Sequence, residues 1–304
     1  MTKFMSLKLW VLVVLLVPTL RSVAQTVPEP ATERSRGFTE VEAFQGTLNS
    51  DERVLKLDSA LGWDFNSHFS TFAGLPVYFD HLTSNTTTTP TASSNPSHNG
   101  IGNAYLGFVL REPNPRLSYA SAVTVTAPTG DTKKGLSTGR ATVNWDNHLE
   151  HAFHRFVPFF DGGLGNTVPD TALITRQFTS LGLVTHFQEG GGYLLSPHFA
   201  VDASAYEIVP FGNQKVFSRL VVPSLPSQAA SAAAAHGRVF DVVAEASGNG
   251  LTRENGFSTW GSFELSKIWT MDLGYTRSVT FALNSFAFNL RMNVGRLLRS
   301  RTTL

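Results

Sequence analysis

The chain contains no cysteine. That excludes disulfide staples and thiolate metal sites, and in an exported chain of this size it points towards a bacterium rather than an animal. An excess of one charge is missing as well. The 24 Lys and Arg against 23 Asp and Glu leave a net +1, too little to argue for nucleic acid or an acidic partner. Past residue 24 there is no apolar run long enough to cross a bilayer as a helix. Helical signals are weak throughout, because Gly, Pro and β-branched residues interrupt most candidate stretches. What the chain has instead is 23 Phe, 25 Gly and 15 Pro, the mixture expected of many short strands joined by turns.

Residues 1–24 read as an export signal. Lys3 and Lys8 give a basic start, Leu9 to Leu20 an apolar core interrupted only by Pro18, and Ser22-Val23-Ala24 the small residues of a cleavage site. About twelve apolar-rich residues are too few for a membrane anchor. Cleavage is expected after Ala24, followed by a mobile polar lead over 25–37. Residues 38–304 then form one domain with a short basic tail.

The strongest structural signal lies at 268–293. Trp269, Met271, Leu273 and Tyr275 alternate with Thr270, Asp272, Gly274 and Thr276. After a turn, Phe286, Phe288, Leu290 and Met292 alternate with Ser285, Ala287, Asn289, Arg291 and Asn293. A period of two means β-strand with one apolar and one polar face. Similar patterns fall at 38–48, 54–65, 69–79, 101–110, 117–125, 139–147, 154–164, 177–187, 198–208, 237–247 and 257–266, with a further candidate at 214–222. Membrane barrels of bacteria have even strand numbers, so the expected fold is all-β, an antiparallel transmembrane barrel of about 12 strands, with 14 as the alternative.

Alternation alone fits a soluble sandwich equally well. Three features favour a membrane barrel: the export signal without disulfides, aromatics near strand ends, and recurrent charges on the face opposite the apolar one. The aromatics in question are Trp63, Phe65, Phe79, Trp145, Phe159, Phe160, Trp260, Trp269 and Tyr275. Connection lengths agree with this choice. If the chain starts on the periplasmic side, the long polar segments 83–100 and 128–138 lie outside the cell, and the short turns at 66–67 and 112–115 lie inside. The bacterial outer membrane is the expected location, with outer-membrane lipid and the barrel-assembly machinery as partners.

Two blocks carry a family resemblance. Val123-Thr124-Val125-Thr126-Ala127-Pro128-Thr129-Gly130-Asp131, followed by Leu136-Ser137-Thr138-Gly139, resembles the strand–PTGD–loop block of the phenol-degradation MetA-pathway, transporter-like family of outer-membrane proteins. Gly102-Asn103-Ala104-Tyr105-Leu106-Gly107-Phe108-Val109-Leu110-Arg111 resembles the preceding strand of that family, and Gly74 to Phe79 sits where the family has a similar block. The resemblance implies a barrel that passes small, often hydrophobic or aromatic solutes, without catalytic residues. Taken alone, PTGD is a good turn, with Pro at its second position and Gly at a later, left-handed one.

Candidate chemistry is sparse. His148, His151 and His154 invite a metal, yet on a strand His151 points away from the other two. His98-Asn99-Gly100 has serines nearby, as an outer-membrane lipid hydrolase would require, but no single serine stands out as nucleophile. Gly190-Gly191-Gly192 has no helix after it to cradle phosphate and is expected to turn. No enzyme activity and no cofactor are expected. The remaining candidates are the charges opposite the apolar faces: Lys56, Asp58, Asp64, Asp241, Glu245, Glu264, Asp272 and Arg291. In a pore they would set a transverse field that selects solutes. Alternatively they pair and fill a narrow barrel, an outcome that an inward-folded loop would favour. The expected function is passage of small molecules, with a non-transporting surface protein as the alternative.

Overall fold

The computed structural model describes residues 37–49, 52–82, 99–112, 114, 117–151, 153–171, 173–176, 178–218 and 245–293. The signal segment, most of the 83–100 loop, Asp241 and the basic tail therefore lie outside the described residues.

Sixteen strands are present among the described residues. They are β1 (Gly37–Asn49), β2 (Glu52–Asp64), β3 (Phe69–Leu82), β4 (Gly100–Ile101), β5 (Tyr105–Glu112), β6 (Ser118–Thr126), β7 (Thr142–Glu150) and β8 (Phe156–Gly165). Then come β9 (Phe178–Leu181), β10 (Val184–Ser196), β11 (Phe199–Pro210), β12 (Asn213–Ser218), β13 (Glu245–Asn249), β14 (Glu254–Glu264), β15 (Trp269–Ser278) and β16 (Leu283–Asn293). Twelve of them pair antiparallel in a closed ring, in the order β1, β2, β3, β5, β6, β7, β8, β10, β11, β14, β15, β16 and back to β1. Closure leaves no free edge on the wall, so its backbone groups can be satisfied within hydrocarbon. β4 adds two residues to β3, while β9, β12 and β13 form a separate three-stranded sheet.

All four long connections lie at one end of the barrel. One end of the barrel carries short links at 65–68, 113–117, 151–155, 197–198 and 265–268. The other carries 83–104, 127–141, 166–183 and 211–253, together with the small sheet and the two short links 50–51 and 279–282. The outer ends of β1 and β16 both fall at the short-link end, which is the periplasmic side of an outer-membrane barrel.

Register fixes which side chains face the interior. Lys56 pairs with Gln45, Gln45 with Asn289, Asn289 with Asp272 and Asp272 with Ser262, all on the inner face. The intervening residues, such as Leu57, Phe44, Leu273 and Phe286, are exposed. The polar residues are thus buried and the apolar ones exposed, the inverse of a soluble sandwich. Phe79, Trp145, Trp269, Trp63 and Phe65 lie exposed near the strand ends, where aromatic girdles meet the lipid headgroups.

Several expectations need correction. Phe159 and Trp260 face inward and are buried, because their parity matches Asp161 and Ser258 rather than Phe160 and Phe257. Gly190–Gly192 do not turn but sit in the middle of β10, paired with β8 and β11. A Cβ at Gly190 would collide with the Ala203 carbonyl and the Phe159 ring, so close approach is what requires glycine there. The 177–187 candidate is two strands, β9 in the small sheet and β10 in the wall. The 214–222 and 237–247 candidates contribute β12 and β13 to the small sheet, not to the barrel.

Candidate functional site

The barrel interior is not an empty tube. Between β8 and β9 the chain turns inward, and residues 168–176 touch the inner faces of β1, β2, β3, β8, β14 and β16. Leu173 is at the tip, packed with Phe159, Trp260 and Ala287 near mid-barrel. Thr171 and Ile174 bond to each other in both directions and close the bend, the Ile174 N–H donating to Thr171 Oγ1 at 3.0 Å and the Thr171 N–H to the Ile174 carbonyl at 2.9 Å.

Two charged residues and one backbone group pin the segment. Asp170 lies 3.5 Å from Lys56 Nζ, accepts from Tyr78 Oη at 2.8 Å and accepts from the Arg176 N–H at 2.8 Å. Arg176 Nη1 donates to Glu254 Oε2 at 2.5 Å, while Tyr206 Oη donates to the other Glu254 oxygen at 2.7 Å. The Thr175 N–H donates to Thr47 Oγ1 at 3.0 Å. The contacts match the chemistry of the site: buried charges persist only where paired and hydrogen-bonded. Beside the segment a cavity of about 40 Å³ remains, lined in part by Thr47, Arg176, Tyr206 and Glu254.

The charges singled out in the sequence fall in different places. Lys56 is buried and lies 3.2 Å from Asp58, which also accepts from Tyr105 Oη at 2.7 Å. Asp64 is buried near the periplasmic end, 4.0 Å from Arg111 Nη1. Asp272 is buried, 3.3 Å from Arg291 Nη2, and accepts from Asn289 Nδ2 at 3.1 Å. Glu264 is at the periplasmic end of β14 with a half-exposed side chain, 3.5 Å from His198. Glu245 belongs to β13, away from the wall, and Asp241 lies outside the described residues.

Besides His148, weighed above as a metal ligand, the structure adds inward residues that were not singled out. Asp161 holds His148 Nδ1 at 2.5 Å, with Glu150 3.4 Å from the other ring nitrogen, and Asp146 holds His186 Nε2 at 2.6 Å. His151 and His154 fall at the β7–β8 turn, His154 with a φ of 50°. Among the described residues no three His, Cys, Asp or Glu gather as a metal-binding group. Parity could have found Asp161 and Asp202, since both alternate with apolar neighbours. Asp170 and Arg176 carry no such signal, because the inward segment has no period.

The two motif blocks meet at the extracellular end. Thr129 Oγ1 donates to the Gly102 carbonyl at 2.9 Å and accepts from the Ala104 N–H at 2.8 Å, and the Gly130 N–H donates to Asn103 Oδ1 at 3.1 Å. Gly130 is not left-handed; a Cβ there would strike the Leu136 carbonyl. The left-handed residues are Gly135, φ 67°, which ends a 3-10 turn over Thr132–Lys134 capped by Asp131, and Gly139, φ 70°.

A closed ring of twelve antiparallel strands, apolar outside and polar inside, defines an outer-membrane β-barrel, and the chain is a protein of the bacterial outer membrane. No family model and no curated protein matches it. Among solved structures it is similar to an outer membrane channel from Pseudomonas putida F1, with a TM-score of 0.55 over 88% of this chain and 99% of that one at 10% identity. The KdgM porin, solved with disordered oligogalacturonate, gives 0.45 over 83% and 98% at 6% identity. The NanC porin gives 0.45 over 83% and 98% at 8% identity. The likeness to the Pseudomonas channel is one of fold.

Proposed function

We propose that this barrel passes small molecules, hydrophobic and aromatic ones among them, across the outer membrane through a lumen that residues 168–176 constrict. The observation that carries the reading is how the constriction is held. The segment crosses a polar interior on ion pairs, a few hydrogen bonds and one apolar tip, with no strand pairing to the wall among its described residues. Such contacts can be exchanged for water when the segment moves. Tyr78, Tyr105, Tyr206, Phe159 and Trp260 around it offer ring faces to an aromatic solute. Lys56, Asp58, Asp64, Asp272 and Arg291 would line the path and impose charge preference.

The fold shared with an outer membrane channel and the resemblance to the phenol-degradation family agree with this reading. Export by the 1–24 signal and insertion by the barrel-assembly machinery belong to it. It includes no catalysis; His98, the histidine weighed for a lipid hydrolase, lies outside the described residues. The alternative is a non-transporting surface protein, favoured by the β9–β12–β13 sheet at the extracellular end.

Swelling of proteoliposomes in isosmotic sodium benzoate and in a disaccharide tests the proposal. Faster swelling in benzoate than protein-free vesicles show, with little in the disaccharide, is expected. No swelling in either would sink passage and leave the surface role.

A further inference from the structure

Between the tip of the inward segment and the periplasmic mouth, the described residues of the lumen wall carry five buried carboxylate and amide oxygens without a donor, against one indole N–H without an acceptor, that of Trp260. Asp202 is 1% exposed, and among the described residues neither of its carboxylate oxygens has a hydrogen-bond partner. Its register partner on β14 is Trp260, and one rung along the same strand Ser262 faces Asp272. Asp272, also 1% exposed, is bonded by Asn289 and Arg291. Asn289 is 0% exposed; it donates an amide N–H to Asp272, and its Oδ1 has no donor among the described residues. Gln45, the register partner of Asn289 on β1, is buried with Oε1 likewise unmatched.

A buried carboxylate with no donor costs several kcal/mol, and unmatched amide oxygens add to it. A positive charge answers several acceptors at once. The set is all oxygen, from two carboxylates and two amides, with no nitrogen or sulfur ligand to favour zinc or copper. We infer that Asp202 and Asp272, with the Asn289 and Gln45 side-chain oxygens, form a site in the lower lumen for a hard metal cation such as calcium. Arg291 offsets one of the two carboxylate charges, so the site holds its ion exchangeably. The inference does not depend on passage: the ion binds whether or not the barrel conducts.

Trp260 supplies the readout. Trp63, Trp145 and Trp269 are exposed on the outer wall, while Trp260 faces inward beside Asp202. Terbium would be titrated into the full barrel extracted in a phosphate-free detergent, with emission excited through tryptophan. Sensitised emission that calcium displaces, that Trp260→Phe removes and that Asp202→Asn weakens is expected, in protein that still shows a heat-modifiable band. Absence of sensitised emission from the wild-type barrel would overturn the site, and so would emission undiminished in Trp260→Phe. If Asp202→Asn fails to fold, the wild-type and Trp260→Phe comparison and the calcium competition still decide.

Discussion

Replacing Arg176 by Gln removes the cation from a buried pair. In the constricted state Glu254 would keep Tyr206 as a donor but lose the guanidinium 2.5 Å away. Leaving one member of a buried ion pair uncompensated costs about 3–5 kcal/mol. That cost falls on the constricted state alone, because Glu254 is hydrated once the segment has left it. Taking the lower figure of about 3 kcal/mol, the ratio of open to constricted barrels rises on the order of 100-fold, at about 1.4 kcal/mol per factor of ten. Asp170→Asn should act in the same direction and more weakly, since the Lys56 contact is longer at 3.5 Å and the Tyr78 hydrogen bond can survive. The two substitutions will not add, because the Arg176 N–H donates to Asp170. Single-channel recording in planar bilayers reads the open fraction directly. A correctly folded Arg176→Gln barrel with wild-type open fraction would refute the assignment of this pair as a clasp.

Two further outcomes follow from the wall. Leu273 faces lipid midway along β15, so Leu273→Arg should destabilise the barrel by about 2–4 kcal/mol, against about 0–1 for Trp63→Arg near the strand end. Urea unfolding in lipid vesicles checks the difference, and equal costs would remove Leu273 from the hydrocarbon. Gly190→Val should cost about 1–3 kcal/mol by overpacking against Phe159 and the Ala203 carbonyl, read as a lower unfolding midpoint; an unchanged midpoint would place this face elsewhere.

The wall was legible in the sequence because membrane strands obey a strict parity. Residues 268–293 gave both faces of β15 and β16 residue by residue, but alternation marked thirteen candidates and only the even-number rule reduced them to about 12; the surplus was 237–247, whose described end, β13, belongs to the small sheet. Parity failed where both faces held aromatics. Phe159-Phe160 offers two identical rings, and only the inward segment explains why one of them is buried against Leu173. The triple glycine misled for a related reason: its residues are small because large rings lie over the strand, a tertiary fact that leaves a turn-like local signature. Asp170 and Arg176 were invisible because a loop folded into a lumen has no period, and its charges acquire meaning only from Lys56 and Glu254, distant in sequence.

The chain's lack of cysteine permits the most direct test of a constricted passage. The Thr175 N–H lies 3.0 Å from Thr47 Oγ1, so cysteines at both positions would tether the inward segment to β1. In single-channel recordings of this double variant, current should be suppressed under oxidising conditions and return when the bond is reduced. The same current in both states would contradict a path governed by residues 168–176.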